Sequence, residues 1–226
     1  MLSEMFIKLW NNGLIQIGIW ETIYMTFISS AIAYLIGLPL GVILTVTGEN
    51  GIRPVRWLNS ALGFVVNFFR SIPFIVLMVA MLPVAKLIVG TSLGNSAMIV
   101  MLIIAAAPYV ARMVESSLKE VNGGVIEAAQ SMGSSNLQII WKVLLPEAKP
   151  ALIHGAVISI VTILSYSAMA STIGGTGLGQ IAIIYGHQRS NADITWICVF
   201  LIVIIVQIIQ VLGTRIANKT DKRIRQ

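Results

Sequence analysis

The chain of 226 residues is 57% hydrophobic and only 11% charged, and its mean hydropathy is +0.88. Soluble domains carry about a quarter charged residues, so these values argue against a water-soluble enzyme and against a disordered chain. The net charge is +6, but the basic residues are spread over a very apolar chain. They are therefore expected to set the orientation of the chain in a membrane and not to bind nucleic acid. The single Cys198 excludes an internal disulfide. The sequence therefore predicts an integral membrane protein.

The first predicted element is a short amphipathic helix that lies on the outer face of the membrane. Its apolar residues are Met5, Phe6, Leu9 and Trp10. They favour a helix that rests in the interface over one that spans the bilayer.

Five membrane spans are predicted after it, because long stretches lack charges and a charge at the bilayer centre costs roughly 2.5–3.5 kcal/mol. At about 1.5 Å per residue, each stretch can cross a hydrocarbon layer of roughly 30 Å. The spans are approximately residues 20–46, 58–84, 90–111, 151–171 and 194–214. They predict one all-α transmembrane domain over residues 1–226, with residues 112–149 outside the membrane. Residues 174–179 are too rich in glycine for a stable helix, and whether they re-enter the membrane is left open.

The basic residues predict the orientation of the chain. One side of the membrane would carry only Lys8, Lys86 and Arg189. The other side would carry eleven basic residues: Arg53, Arg56, Arg112, Lys119, Lys142, Lys149, Arg215, Lys219, Lys222, Arg223 and Arg225. The positive-inside rule then predicts an N-terminus outside and a C-terminus in the cytoplasm.

Three predicted spans contain a proline, at Pro39, Pro73 and Pro108. A proline removes a helix hydrogen bond and kinks the span, which neighbouring helices can compensate. The kinks either shape the helix bundle or act as pivots of a bundle that opens to each side in turn. Small residues at Gly37 and Gly41, on either side of Pro39, also predict a close approach of another helix.

Residues 112–149 differ in character from the spans, since eight of these 38 residues are charged. Their pattern is that of two short helices. The first has apolar residues at helical spacing up to Met132 and stops at Gly133. The second opens with a capping box of Ser135 and Gln138. Its predicted apolar face is Leu137, Ile140, Trp141 and Leu144, and Pro146 is predicted to end it. The periodicity alone fits equally well a surface for a cytoplasmic partner and a hairpin packed on its own bundle.

The motif in this segment resembles the EAA loop of ABC-importer permeases. Glu127-Ala128-Ala129 is followed by Gly133 and, at the family's spacing, by Leu145-Pro146. In that family the loop is the coupling helix, which docks on a cytoplasmic ATPase. The resemblance implies that Glu127 makes polar contacts with the ATPase, that Ala128 and Ala129 pack closely on it, and that Gly133 supplies the turn.

The resemblance to the methionine-importer branch of these type I importers extends from about Trp20 to Gln180. It rests on these motifs: Trp20-Glu21-Thr22, Gly37-Leu38-Pro39, Phe69-Arg70-Ser71-Ile72-Pro73-Phe74, Ile88-Val89-Gly90-Thr91-Ser92, Ala111-Arg112-Met113-Val114-Glu115, Tyr166-Ser167-Ala168-Met169 and Gly177-Leu178-Gly179-Gln180-Ile181. It implies a homodimer of five-span subunits in the bacterial inner membrane, two cytoplasmic ATPase subunits, and a periplasmic or lipoprotein methionine-binding protein. ATP and Mg²⁺ would be bound by the ATPase.

No catalytic or cofactor motif is found in the sequence itself. A phosphate-binding Gly-x-x-x-x-Gly-Lys-Ser/Thr loop is absent, so we expect no ATP hydrolysis by this chain alone. His154 and His187 have no Cys or carboxylate at metal-ligand spacing, so no metal site is expected.

Four residues are candidates for the permeation path. Arg70 is the one charge inside a predicted span, where it would be either a counter-ion for a substrate carboxylate or a side chain that reaches the cytoplasmic interface. The resemblance implies a gate at Tyr166, Ser167 and Met169, and a flexible Met suits a hydrophobic constriction. Ordinary helix packing is the alternative for each.

Two other functions stay open at this point. The substrate could be another amino acid or a methionine derivative, or the chain could be a secondary carrier that needs no ATPase. Five spans are few for such a carrier, and the repeated Gly-Thr-x-Leu-Gly at 90–94 and 175–179 is too short to establish an internal repeat.

Overall fold

The computed structural model describes residues 4–221, and this part of the chain consists of helices joined by short turns, without a β-strand. The α-helices of the described part are α1 (Glu4–Asn11), α2 (Leu14–Thr47), α3 (Arg56–Ser71), α4 (Phe74–Val89), α5 (Asn95–Lys119), α6 (Gly123–Ser131), α7 (Asn136–Ile139), α8 (Leu145–Glu147), α9 (Lys149–Ala170), α10 (Leu178–Ile181) and α11 (Ala192–Thr220). The predicted all-α class is confirmed.

Four of these helices are long and apolar enough to cross a membrane: α2, α5, α9 with its continuation to Ile173, and α11. The pair α3 and α4 makes a fifth span if it is counted as one broken span. The predicted single helix over 58–84 therefore differs from the structure, which bends sharply at Ile72-Pro73. Pro73 has extended backbone angles (φ −55°, ψ 134°), and a proline also disfavours helix geometry in the residue before it.

Helix α5 also differs from the predicted span 90–111. It begins at Asn95, after Gly90 and Gly94, whose positive φ angles (79° and 86°) end α4 and turn the chain. It continues to Lys119, so its last two turns carry charges. A helix that leaves the bilayer can extend into water without a change of backbone, and charge counting places its end too early for that reason.

Contacts divide the chain into two compact units, which share the long helices. The first contains the residues up to Ile32, Ile72–Ala106 and Ile160–Ile209; the second contains Ala33–Ser71, Ala107–Ser159 and the residues from Gln210 on. In the first unit, Leu9 of α1 is buried with Ile15, Ile181, Ile194 and Cys198. The predicted amphipathic helix is confirmed as an element, but its apolar face packs on this core.

The second unit is built on a close approach of α2 and α5. A Cβ atom at Gly41 would lie 2.6 Å from the backbone oxygen of Ala111 and 2.6 Å from Val114 Cβ. A Cβ atom at Gly37 would lie 2.6 Å from Val110 Cγ1. The predicted close approach is therefore confirmed, because only glycine leaves room for the facing helix at both positions.

The prolines and the basic tail complete the comparison with the sequence. Pro39 lies inside α2 and Pro108 inside α5, as predicted, whereas Pro73 lies at the break before α4. Arg215 and Lys219 lie in the C-terminal part of α11. The basic residues Lys222, Arg223 and Arg225 lie outside the described residues.

Candidate functional site

The segment with the EAA motif forms the two predicted helices between α5 and α9. We call residues 120–148 the EAA segment. Helix α6 begins after Asn122, whose Oδ1 accepts a hydrogen bond from the backbone N–H of Gly124 at 2.9 Å. It ends at Ser131, and Gly133, which has a φ of 75°, turns the chain after it; the N–H groups of Gly133 and Ser134 donate to the carbonyls of Gln130 and Ala129. This bond pair is a Schellman motif, which explains why a glycine stands there.

The second helix of the EAA segment opens with the predicted capping box. The backbone N–H of Gln138 donates to Ser135 Oγ, and the N–H of Ser135 donates to Gln138 Oε1 at 2.8 Å. The backbone then continues through a π turn (Ile140–Leu144) into α8. Pro146 therefore does not end the helix, contrary to the prediction. The N–H of Leu145 bonds to the carbonyl of Ile140, five residues back, and this wider turn relieves the clash a proline ring makes with a regular helix.

The π turn also changes which residues the second helix buries. Ile139 and Leu144, five residues apart, are fully buried, and Ala148 follows one turn later. Leu137 and Trp141 are 69% and 68% exposed, so they do not belong to the packed face. Of the predicted face, Leu144 is buried and Ile140 half-buried, whereas Leu137 and Trp141 are exposed, because the prediction assumes an unbroken α-helical period.

The exposed residues of the EAA segment form an apolar patch next to the motif. Met132 is 78% exposed, and Glu127 and Ala128 are also exposed. Ala129 differs, since its side chain is 3% exposed and packs inside the chain. Leu145 is half-buried and Pro146 exposed. The EAA segment thus has buried residues that hold it to its own unit and exposed apolar residues. We call the latter the exposed patch: Val125, Ala128, Met132, Leu137 and Trp141.

A polar cavity of about 800 Å³ lies beside α6 in the same unit. Its wall includes Glu127 and Gln130 of α6, the turn after α2, and the end of α5 with Glu115 and Lys119. Glu115 is 5% exposed, and its carboxylate pairs with Arg112 and with Lys119. In the sequence, Arg112 and Glu115 stand out only as part of a family motif, so this ion cluster around Glu115 was not predicted.

Arg70 is at the end of a helix and not within one. It lies exposed in the last turn of α3, just before the break at Ile72-Pro73. A cation is favourable there because the carbonyl end of a helix carries partial negative charge. In the described part of the chain its guanidinium makes no ion pair. The expectation of a charge inside a continuous span is therefore corrected.

The three gate candidates on α9 occupy different environments within the first unit. Tyr166 stacks on Phe74, with ring centroids 4.2 Å apart and planes 6° from parallel. Ser167 is buried, and its Oγ donates to the carbonyl of Leu164 at 2.7 Å. Met169 is 50% exposed. The structure thus adds Phe74 as a partner of Tyr166, and it shows that the Ser167 hydroxyl is bonded to the backbone of its own helix.

The exposed face next to Met169 is polar, which the sequence pattern did not reveal. Ser165 lies one turn before Met169, and Thr172 lies one turn after it; both are exposed. Their hydroxyls bond to backbone carbonyls of the same helix. Both hydroxyls therefore have their hydrogen-bonding satisfied within the helix, as Ser and Thr side chains do when they bond back to the preceding turn.

The Gly-rich residues 174–179 are anchored by polar side chains of the first unit. Leu178 N–H donates to Thr22 Oγ1 at 2.9 Å, and Thr176 Oγ1 donates to Asn95 Oδ1. Asn95 Nδ2 donates to Glu21 Oε1 at 3.0 Å. Gly94, the last residue of the first Gly-Thr-x-Leu-Gly copy, also donates its N–H to the carbonyl of Gly174, the residue just before the second copy, at 3.3 Å. Only the repeated pentapeptide signalled this contact in the sequence.

The family of the chain follows from a match over most of its length. Residues 37–226 match the family model described as binding-protein-dependent transport system inner membrane component. The chain belongs to this family. This result confirms the resemblance of the motifs, and it agrees with the long apolar helices of a multi-pass membrane protein.

Two relatives of this inner membrane component are similar over nearly their whole length. The probable D-methionine transport system permease protein MetI of Vibrio cholerae serotype O1 is 51% identical over 213 residues, which cover 94% of this chain and 95% of that protein. The methionine import system permease protein MetP of Bacillus subtilis is 44% identical over 216 residues, which cover 96% and 95%.

Solved structures give the same picture for the inner membrane component. A chain of the MetNI methionine ABC transporter, solved in inward facing conformations, is 45% identical with a TM-score of 0.92; the match covers 97% of this chain and 100% of that one. A chain of an amino acid ABC transporter with histidines, at 18% identity and a TM-score of 0.79, covers the same shares and shares the fold.

Proposed function

We propose that the chain is the membrane-spanning permease subunit of an ATP-driven importer that takes up methionine, in its L and D forms, across the bacterial inner membrane by alternating access. The relatives named for methionine transport support the substrate. The observation that carries the proposal is the exposed patch of the EAA segment. A helical pair between two membrane-length helices offers a surface for a cytoplasmic subunit, and Leu137 and Trp141 are the kind of apolar anchors such interfaces use.

The partners follow from this role. ATP and Mg²⁺ are held by two copies of a separate ATPase, and this chain receives its energy through the exposed patch and Glu127. Two copies of the chain form the transport unit, and a periplasmic or lipoprotein methionine-binding protein delivers the substrate from outside. The N-terminus is outside and the C-terminus cytoplasmic, so that the EAA segment faces the ATPase. Labelling of a cysteine placed at Lys219 in a Cys198→Ala background, in inside-out vesicles only, is the expected result for this orientation.

The permeation path runs along the polar face of α9, beside Met169 and the Phe74–Tyr166 stack. Met169 is half-exposed and flexible, so it can close a constriction without a cost in folding. Transport by Met169→Ala that becomes leaky without ATP supports a gate, and an unchanged, fully coupled rate argues against it. Arg70 is kept as a candidate counter-ion for a substrate carboxylate, and Arg70→Gln that keeps wild-type uptake removes that role.

Uptake of radiolabelled methionine in a strain without its own importer tests the whole proposal. The chain is expressed with its ATPase and binding protein, and unlabelled D-methionine and other amino acids are used as competitors. We expect uptake that both methionine forms inhibit, and a stable complex with the ATPase that Ala128→Asp abolishes. Serine at the same position is the matched control. Competition by another amino acid alone would change the substrate, and uptake that persists without any ATPase would favour a secondary carrier.

A further inference from the structure

An ion cluster around one buried carboxylate of α5 lies outside the EAA motif. The Glu115 carboxylate is almost completely buried, and both of its oxygens are used. Oε2 pairs with Arg112 Nη1, and Oε1 lies 2.8 Å from Lys119 Nζ. The Glu115 carboxylate is the buried member of the cluster, since the side chains of Arg112 and Lys119 are 24% and 62% exposed, and a buried carboxylate needs such partners to offset the cost of its burial.

Arg112 connects this cluster to another helix of the same unit. Its Nη2 donates to Asn67 Oδ1 of α3 at 2.9 Å and lies 3.5 Å from the carbonyl of Gly63. Its Nε is buried without a hydrogen-bond partner among the described residues. The guanidinium is thus held in one orientation by Glu115 on one side and by α3 on the other.

The same cluster adjoins the EAA segment. Glu115 and Lys119 form part of the cavity wall that Ile126, Glu127 and Gln130 of α6 complete. Only residues 120–122 separate α5 from α6, so a shift of α6 would change the wall of the cavity beside Glu115. Glu115 thus lies between Arg112, which contacts α3, and the cavity that α6 lines on its other side.

We propose that Glu115 is a positioning residue for energy coupling: it holds Arg112 against Asn67 and Gly63, so that a displacement of the EAA segment is passed to α3. This inference rests on the proposed function. In this role Glu115 acts through Arg112, by holding its guanidinium, and not by contact with substrate or ATPase.

Uptake and ATP hydrolysis, measured separately in liposomes with the full complex, test this link. Glu115→Gln keeps the shape of the side chain and removes its charge. We expect methionine uptake per ATP hydrolysed to fall about three- to tenfold, the range for a residue that carries coupling between sites. The amount of assembled complex is expected to stay at the wild-type level. Glu4→Gln, a change of an exposed carboxylate in α1 and outside the EAA segment, is the control and is expected to leave the ratio unchanged.

A second substitution separates positioning from a general loss of structure. Asn67→Asp, added to Glu115→Gln, places a carboxylate where Asn67 Oδ1 now receives the Arg112 bond. If Arg112 is what Glu115 positions, the double variant regains most of the uptake per ATP, and Asn67→Asp alone does not raise it.

The outcomes distinguish this inference from the proposed function. A Glu115→Gln complex with the wild-type ratio overturns the inference, and so does a loss that the double variant does not recover. A wild-type complex that hydrolyses ATP but takes up no methionine overturns the proposed function instead, and the coupling role falls with it.

Discussion

Asn95 donates a 3.0 Å hydrogen bond from Nδ2 to Glu21 Oε1, and the two residues are 74 positions apart in the chain. The opposite side of the same amide accepts from Thr176 Oγ1. One side chain thus joins the start of α5 to α2 and to the Gly-rich residues 174–179. Glu21 and Thr176 keep these hydrogen bonds only while the Asn95 amide has this orientation. Asn95 therefore holds α2, the start of α5 and the Gly-rich residues in fixed positions relative to one another within the first unit.

Exchanging donor and acceptor between these two residues tests that role. Asn95→Asp puts a second carboxylate about 3 Å from Glu21, and the loss of a hydrogen bond to a charged group should cost roughly 1–3 kcal/mol. In Glu21→Gln with Asn95→Asp, the new amide donates to the new carboxylate, so we expect most of the stability to return. The measurement is the thermal midpoint of the purified protein in detergent, followed by tryptophan fluorescence.

Glu21→Gln alone is the matched control for this exchange. Its remaining carbonyl oxygen still accepts from Asn95, so a small effect is expected. Equal midpoints for Asn95→Asp and the double variant would show that the bond does not carry the stability.

The close approach of α2 and α5 predicts a strong effect of one methyl group. In Gly41→Ala the new Cβ would lie 2.6 Å from the backbone oxygen of Ala111, which cannot rotate away. The helices must separate, and we expect a loss of about 1–3 kcal/mol, as for other overpacked contacts. Gly123→Ala, where a Cβ meets nothing within 4 Å, is the control. Thermal midpoints compare the two, and a Gly41→Ala protein as stable as the control would contradict the contact.

The local elements of the candidate site were predictable because their signals lie within a few residues of each other. The capping box of Ser135 and Gln138 and the stop at Gly133 are properties of single turns, and the structure contains both. Gly37 and Gly41 likewise predict a close helix contact, because residues this small in a span leave room for another helix.

The remaining features depend on backbone geometry or on distant partners. The π turn at Ile140–Leu144 places the buried residues Ile139 and Leu144 five positions apart. An unbroken α-helical period instead predicts that Leu137 and Trp141 lie on the same face as Leu144, and both are exposed. The helix break before α4 follows from the extended backbone of Pro73, whereas Pro39 and Pro108 stay inside helices. No local pattern decides between these outcomes, because the packing around each proline does.

Removing the capping hydroxyl of the EAA segment should loosen its second helix selectively. Ser135→Ala deletes the acceptor for the N–H of Gln138, and the loss of such a cap costs about 0.5–2 kcal/mol. We expect faster amide hydrogen exchange over residues 136–144, with little change in α9. Ser134→Ala, whose side chain caps no helix, is the neighbouring control. Exchange that stays slow in Ser135→Ala would mean that packing of Ile139 holds the helix without its cap.

Trp141 and Ile139 lie close together in the EAA segment but have opposite environments. Substitutions of the two residues should therefore distinguish an effect on ATPase binding from an effect on folding stability. Trp141 is mostly exposed, so Trp141→Ala should change stability by no more than about 0.5 kcal/mol. As an aromatic anchor it should still cost the complex with the ATPase about 2 kcal/mol or more. Ile139 is fully buried, so Ile139→Ala should lower stability by about 2–5 kcal/mol.

Co-purification with a tagged ATPase and thermal midpoints of the free protein measure the two effects independently. We expect Trp141→Ala to lose the ATPase in co-purification while its thermal midpoint stays unchanged. We expect Ile139→Ala to lower the thermal midpoint of the free protein. Leu137→Ala should follow Trp141, because it is exposed to the same degree. If Trp141→Ala and Leu137→Ala both retain the ATPase fully, the exposed patch is not the docking surface, and the chain must receive its energy elsewhere.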